Sequence, residues 1–132
     1  MRPLPILAVL ALLLASAGLT AAAAPDWSKA DLVTVEMVDY RFVPDHLSFR
    51  SGTAYDLRLR NDGKETHEFT APDFFGAIEI RNPEVIGSYG KEIVVQPGQT
   101  KDLYFVARAP GRYGLICADH DWAGMTGGIT IQ

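Results

Sequence analysis

The chain has 132 residues and a formal net charge of −4, which is one domain's length and excludes the basic footprint that nucleic-acid partners require. Its mild acidity favours basic or neutral partners instead. A single cysteine, Cys117, excludes an internal disulfide, and the 48% hydrophobic content is inflated by an apolar first segment.

Residues 1–24 read as a signal peptide. Arg2 is a minimal positive start, Ile6–Leu14 is an apolar stretch, and Ala21–Ala24 offers small-residue cleavage frames before Pro25. An uncleaved membrane anchor is the other reading, because the apolar run approaches bilayer-spanning length. In both cases the domain is exported, to the periplasm or beyond. Cleavage leaves about 100 residues, the usual size of a small β-sandwich.

Residues 25–30 form a short tether, in which Trp27 is a packing residue. The domain proper spans 31–132 and opens with alternation over Leu32–Val38. Val33, Val35 and Met37 share one face, and Thr34 and Glu36 the other, which predicts a strand. The stretch 39–44 bends the chain, since Pro44 holds Val43 extended and interrupts central pairing. His46–Phe49 is a second strand with Leu47 and Phe49 inward, so His46 faces water.

Thr53–Arg60 sets Tyr55, Leu57 and Leu59 against Asp56, Arg58 and Arg60. Asn61-Asp62-Gly63-Lys64 then carries the strongest hairpin signal in the chain. Over Glu65–Thr70, His67 and Phe69 share one face and Thr66, Glu68 and Thr70 the other. His67 therefore points inward, as a hydrogen-bonded core residue or as a ligand, while Glu68 reads as a solvated strand residue. The stretch 71–89 is broken by Pro72, Asn82-Pro83 and Gly87. Phe74, Phe75, Ile78 and Ile80 there suit a short helix or an irregular flap bridging two sheets.

Strands follow at 91–95, 100–107, 112–117 and 125–131, separated by the turns Gln96–Gln99 and Ala109–Gly111 and by the loop Ala118–Gly124. Tyr113, Leu115 and Cys117 share a face, which puts Cys117 at the end of a strand and pointing inward. About eight short strands with regular turns and no long helix predict an all-β sandwich or barrel.

Within this frame Cys117, His120 and Met125 form Cys-x2-His-x4-Met around one loop. Thiolate, imidazole and thioether are a soft donor set suited to copper, and a Cys/His pair with a weak axial Met suits electron transfer. The set lacks a second imidazole. His67 supplies it by its facing, since His46 looks outward. No second cysteine or spare histidine remains for another copper centre, and Ile116 stands where a His-Cys-His bridge would need histidine. Structural zinc takes four Cys/His ligands, for which Met is a poor substitute.

With the upstream His67-Glu68-Phe69 segment, this loop resembles the cupredoxins, both the plastocyanin, pseudoazurin and amicyanin branch and small exported cupredoxin-like proteins. The resemblance covers most of 32–132. It implies a Greek-key β-sandwich and one type 1 copper ion cycling between Cu(I) and Cu(II). His67, Cys117 and His120 would form a trigonal plane with Met125 axial, and His120 would be the more exposed ligand and the electron exit. It further implies a monomer that shuttles electrons between protein redox partners and turns over no substrate. Two positions depart from the plastocyanin pattern: Glu68 replaces an Asn, and Ala118 after Cys117 brings no hydroxyl. Both bear on how the site is tuned. Asp119 and Asp121 read as solvated loop acids. Trp122 is either packing or part of a docking patch around His120.

Two rivals remain. A thiol enzyme would use Cys117 with His120 as base, but has no third orienting group and no use for Met125. A periplasmic copper carrier or copper-stress protein would use the same ligands for delivery; a buried thiolate with two imidazoles holds copper too tightly for ready release.

Overall fold

A computed structural model describes residues 18–19, 23–87 and 89–132. The expected leader lies outside the described residues except for 18–19 and 23–24, which carry no regular element. Among the described residues no helix is long and apolar enough to cross a membrane.

Among the described residues ten strands form two five-stranded sheets. The first contains β1 (Asp31–Val38), β2 (Arg41–Val43), β4 (Ala54–Asn61), β6 (Ile78–Ile80) and β8 (Thr100–Ala107), in the order β2-β1-β4-β8-β6. The second contains β3 (His46–Phe49), β5 (His67–Thr70), β7 (Glu92–Val95), β9 (Gly111–Ile116) and β10 (Thr126–Ile131), in the order β3-β10-β9-β5-β7. The expected Greek-key sandwich is observed, with ten strands rather than about eight. The additional ones are the three-residue β2 and β6, too short to show a period.

Alternation places the core as expected. Val35, Met37, Tyr55, Leu57, Leu59, Leu103 and Phe105 point in from the first sheet, and Phe49, Phe69, Ile93, Leu115 and Ile129 from the second. Phe49 is its aromatic hub, with ring centroids 4.8 Å from Tyr55, 5.1 Å from Phe105 and 5.6 Å from Phe74. Phe74 and Phe75 come from the short helix α1 (Pro72–Gly76), which crosses from β5 in one sheet to β6 in the other, as the bridging reading required. Trp27 packs edge-on against Tyr104 at 6.3 Å with the Arg81 guanidinium over both rings, so the tether is pinned to the outer face of the first sheet.

The hairpin expected at Asn61–Lys64 is not one. β4 and β5 lie in different sheets, and the turn carries the chain across. Asn61 explains the crossover. It is buried, accepts the Gly63 N–H at 2.9 Å, and donates to the carbonyls of Glu65 and Val95, each at 2.8 Å. These bonds hold the start of β5 against β7, so the chain cannot fold back on β4.

On the outer face of the first sheet, Arg58 pairs with Asp102 at 2.8 Å and with Asp56 at 3.5 Å. Asp56 Oδ1 is buried without a partner, and its carboxyl is pushed above the ordinary range, first by burial and then by Asp102, against the opposing effect of Arg58. A carboxyl raised in the folded state costs stability once ionised, so the cost is absent below the unfolded value and grows as pH rises through the folded one. Asp56→Asn is therefore expected to raise stability by about 1 kcal/mol at pH 7 and to lose that advantage below about pH 4. Urea unfolding at the two pH values checks it.

Candidate metal centre

β9 and β10 are antiparallel neighbours, with Ile116 opposite Thr126. One step beyond, the Cys117 N–H donates to the Met125 carbonyl at 2.9 Å and closes the loop between them. Inside it, the His120 N–H returns to Cys117 O at 3.1 Å and the Met125 N–H to His120 O at 3.2 Å. A 3-10 turn over Asp121–Ala123 ends at Gly124, whose φ of 84° is a left-handed conformation that glycine adopts without cost. The spacing of Cys-x2-His-x4-Met is thus set by main-chain bonds. His67 opens β5, paired with Val95 of β7, while Thr70 of the same strand pairs with Ile116 of β9.

These elements bring His67, Cys117 and His120 together, with one donor atom from each within 4.8 Å of the others. Cys117 Sγ lies 3.9 Å from His67 Nδ1 and 3.4 Å from His120 Nδ1. Met125 is fully buried in the same core cluster, its main chain bonded to both Cys117 and His120. The far nitrogen of each imidazole meets a carboxylate: His67 Nε2 is 2.6 Å from Asp39 Oδ1, and His120 Nε2 is 2.7 Å from Glu65 Oε2. The Lys64 N–H donates to the second oxygen of Asp39 at 2.9 Å, and the Tyr40 hydroxyl to that of Glu65, also at 2.9 Å. The Lys64 amide, more than His67, holds the Asp39 carboxyl below its usual range, while the bond to Glu65 pushes the Tyr40 hydroxyl up.

The thiol has its own surroundings. The Glu68 N–H donates to Sγ at 3.4 Å, and the thiol faces Glu68 Oε2 at 3.0 Å. The same carboxylate oxygen accepts the Asp119 N–H at 3.2 Å. Burial, ahead of the neighbouring Glu68 carboxyl, pushes the thiol up to about 11.

One expectation changes, and others gain detail. Glu68 is not solvated but buried at 6% exposure, because the ligand loop lies over the face of β5 that alternation assigned to water. His120 is more exposed than His67, as expected, at 8% against 0%, and it is buried by Glu65 on its Nε2 and by the Tyr40 ring 4.8 Å from its own. Ala118 is exposed, and Glu68 takes up the position beside sulfur. Trp122 is 79% exposed, its indole N–H on Asp119 O and its ring 6.4 Å from Tyr40, so it is not core packing. His46, Asp119 and Asp121 are exposed, as read. Asp39, Tyr40, Glu65 and Gly63 were missed. The signal for them is that a ligand imidazole needs a partner for its second nitrogen, and acids flank both turns beside His67.

The donors suit an ion. With metal–sulfur near 2.3 Å and metal–nitrogen near 2.0 Å, a trigonal arrangement separates sulfur from nitrogen by about 3.7 Å. The observed 3.4 and 3.9 Å bracket that value.

Fold and site together define a β-sandwich with a buried thiol–imidazole cluster able to hold a metal ion. The chain belongs to the cupredoxin family: the profile of the Cupredoxin-like domain matches residues 6–131. Cupredoxins bind copper. No curated protein matches the chain. Among solved structures it is similar to auracyanin B, at 21% identity over 78% of this chain and 89% of that one, with a TM-score of 0.57. It is similar to the dithionite-reduced auracyanin of the photosynthetic bacterium Roseiflexus castenholzii, at 15% identity over 78% and 98% of the two chains, TM-score 0.58. It is also similar to the metal-binding domain of the Streptococcus pneumoniae D39 Cu(I)-exporting P-type ATPase CopA, at 13% identity over 76% and 84%, TM-score 0.50. At these identities the likeness is one of fold.

Gly63 lies directly beneath the Asp39–His67 pair. A Cβ there would strike the Asp39 carboxylate and come within 2.9 Å of His67 Nε2. Gly63→Ala is expected to displace Asp39 and weaken metal binding by about tenfold or more, measured by competition with a chelator. Gly76→Ala, which meets nothing within 4 Å, should leave binding unchanged.

Proposed function

We propose that this chain is an exported, mononuclear type 1 copper protein that passes single electrons between protein redox partners, with His67, Cys117, His120 and Met125 as ligands. The observation that carries this reading is the convergence of one thiol and two Nδ1 atoms in a buried pocket. The donor chemistry is soft and suits copper over magnesium, calcium or structural zinc. When bound, copper supplies a one-electron couple. Everything else falls to the chain. Cys117 and Met125 are fixed by the β9–β10 ladder, and His67 by β5, so the donors keep their places whichever charge the ion carries. Burial keeps water from the sulfur. Glu65 does orient His120 toward Cys117, but the sulfur is fully buried beside the Glu68 carboxyl and its thiol is pushed up to about 11, which is the reverse of what a nucleophilic cysteine needs. The chain acts as a carrier in this reading, not as an enzyme. Its overall acidity favours a basic partner surface.

Copper addition should give an intense thiolate-to-copper absorption in the visible and reversible one-electron cycling. Cys117→Ser should abolish the colour, and Met125→Leu should keep it and raise the potential. A colourless Cu(II) protein, or colour that survives Cys117→Ser, would overturn the reading. Rapid loss of Cu(I) to a modest chelator without reversible cycling would assign the site to copper carriage instead.

Binding also has a pH signature. Copper takes the thiolate, so it must displace a proton from a thiol whose pKa is about 11. Cu(I) affinity should rise about tenfold per pH unit through pH 8–10, where an ordinary thiol near 8.5 would already level off. Buffered Cu(I) titrations test the slope, which Cys117→Ser should remove.

A further inference from the structure

We infer that Asp39 and Glu65 are positioning residues of the centre: each holds one ligand imidazole in the tautomer that frees Nδ1 for the ion, and their paired charges favour the oxidised ion. The effect on the potential rests on the copper reading above; the tautomer assignment does not.

A neutral imidazole has one N–H donor and one acceptor nitrogen, and a carboxylate only accepts. Asp39 Oδ1 at 2.6 Å from His67 Nε2 and Glu65 Oε2 at 2.7 Å from His120 Nε2 therefore place both hydrogens on Nε2. Both bare Nδ1 atoms then face Cys117 Sγ. Each carboxylate is itself anchored through its other oxygen, Asp39 by the Lys64 amide and Glu65 by the Tyr40 hydroxyl. The anchors come from two separate turns, the β1–β2 reversal and the β4–β5 crossover. Each of these turns contributes one acid, and each acid is anchored by a residue of the other turn: Asp39 by Lys64, Glu65 by Tyr40. This reciprocal arrangement clamps the two turns together over the imidazoles.

The two pairs differ in exposure. The Asp39 side chain is 24% exposed over a fully buried His67, whereas the Glu65 side chain is 50% exposed over His120. Water screens the second charge more than the first. Asp39 therefore has the larger effect on the ion.

Two measurements test this. In the metal-free protein, ring-nitrogen NMR should show both His67 and His120 as Nε2–H tautomers. Asp39→Ala should release only His67 into mixed tautomers, and Glu65→Ala only His120. In the copper-loaded protein, Asp39→Asn and Glu65→Gln keep an accepting oxygen and remove the charge. Each should lower Cu(II) affinity, by about 10- to 100-fold for Asp39→Asn and less for Glu65→Gln. Where Cu(I) affinity is unchanged, each tenfold loss raises the potential by about 59 mV. Nδ1–H tautomers in the metal-free wild type would overturn the positioning role. Wild-type potentials in both charge-neutral variants would overturn the electrostatic one. A protein that takes up no copper at all would sink the copper reading, while the tautomer measurement still decides the roles of Asp39 and Glu65. Thermal unfolding of every variant separates lost structure from lost tuning.

Discussion

Two imidazoles and a thiol are packed into the interior of a β-sandwich, and burying polar groups there is costly unless each one is met. That constraint organises the rest of the site. The Nε2 atoms are met by carboxylates, and the carboxylates by an amide and a hydroxyl. The Nδ1 atoms meet only the sulfur among the described residues, at 3.9 and 3.4 Å, and the sulfur also meets Glu68 through its carboxyl and its main-chain N–H. Those are separations at which a shared cation satisfies all three groups better than they satisfy one another.

The sheet topology makes this arrangement available. Only β1–β2 and β9–β10 among the described strands connect as neighbours in one sheet; the other connections cross. The two in-sheet reversals and the β4–β5 crossover converge on the centre. One supplies Asp39 and Tyr40, one supplies Cys117, His120 and Met125, and the crossover supplies Gly63, Lys64, Glu65 and His67. The strands act as rigid mounts, and the chemistry sits where they end.

What was legible in the sequence was local or periodic. Cys-x2-His-x4-Met lies within one loop, and the inward facing of His67 follows from a period of two shared with the buried Phe69. The core positions at 35, 37, 55, 57 and 59 follow from the same rule. What was not legible depended on partners distant in the chain. Asn-Asp-Gly chemistry predicts a turn but not which strand the chain meets afterwards, and here Val95 accepts the bond that settles it. Alternation assigned Glu68 to water because it assumes that one face of a strand is open. The ligand loop, 49 residues further along at its nearest contact, covers that face. The turn read as a hairpin and the acid read as solvated both belong to the centre, where local rules tend to give way to function.

Glu68 also bears on how a lone thiol escapes oxidation. Reactive cysteines sit in electropositive, accessible surroundings that favour the thiolate. Cys117 sits in the reverse: fully buried, with a carboxyl oxygen 3.0 Å from sulfur and its thiol pushed up to about 11. A thiolate there would confront a second anion at contact distance in a poorly solvated pocket, an arrangement only a nearby cation makes tolerable. The site therefore resists forming the species that oxidants attack until a metal arrives to stabilise it. The Glu68 main-chain N–H, directed at the same sulfur from 3.4 Å, is already in place to receive the negative charge once the ion is bound. One residue thus opposes the bare thiolate through its side chain and supports the bound one through its backbone.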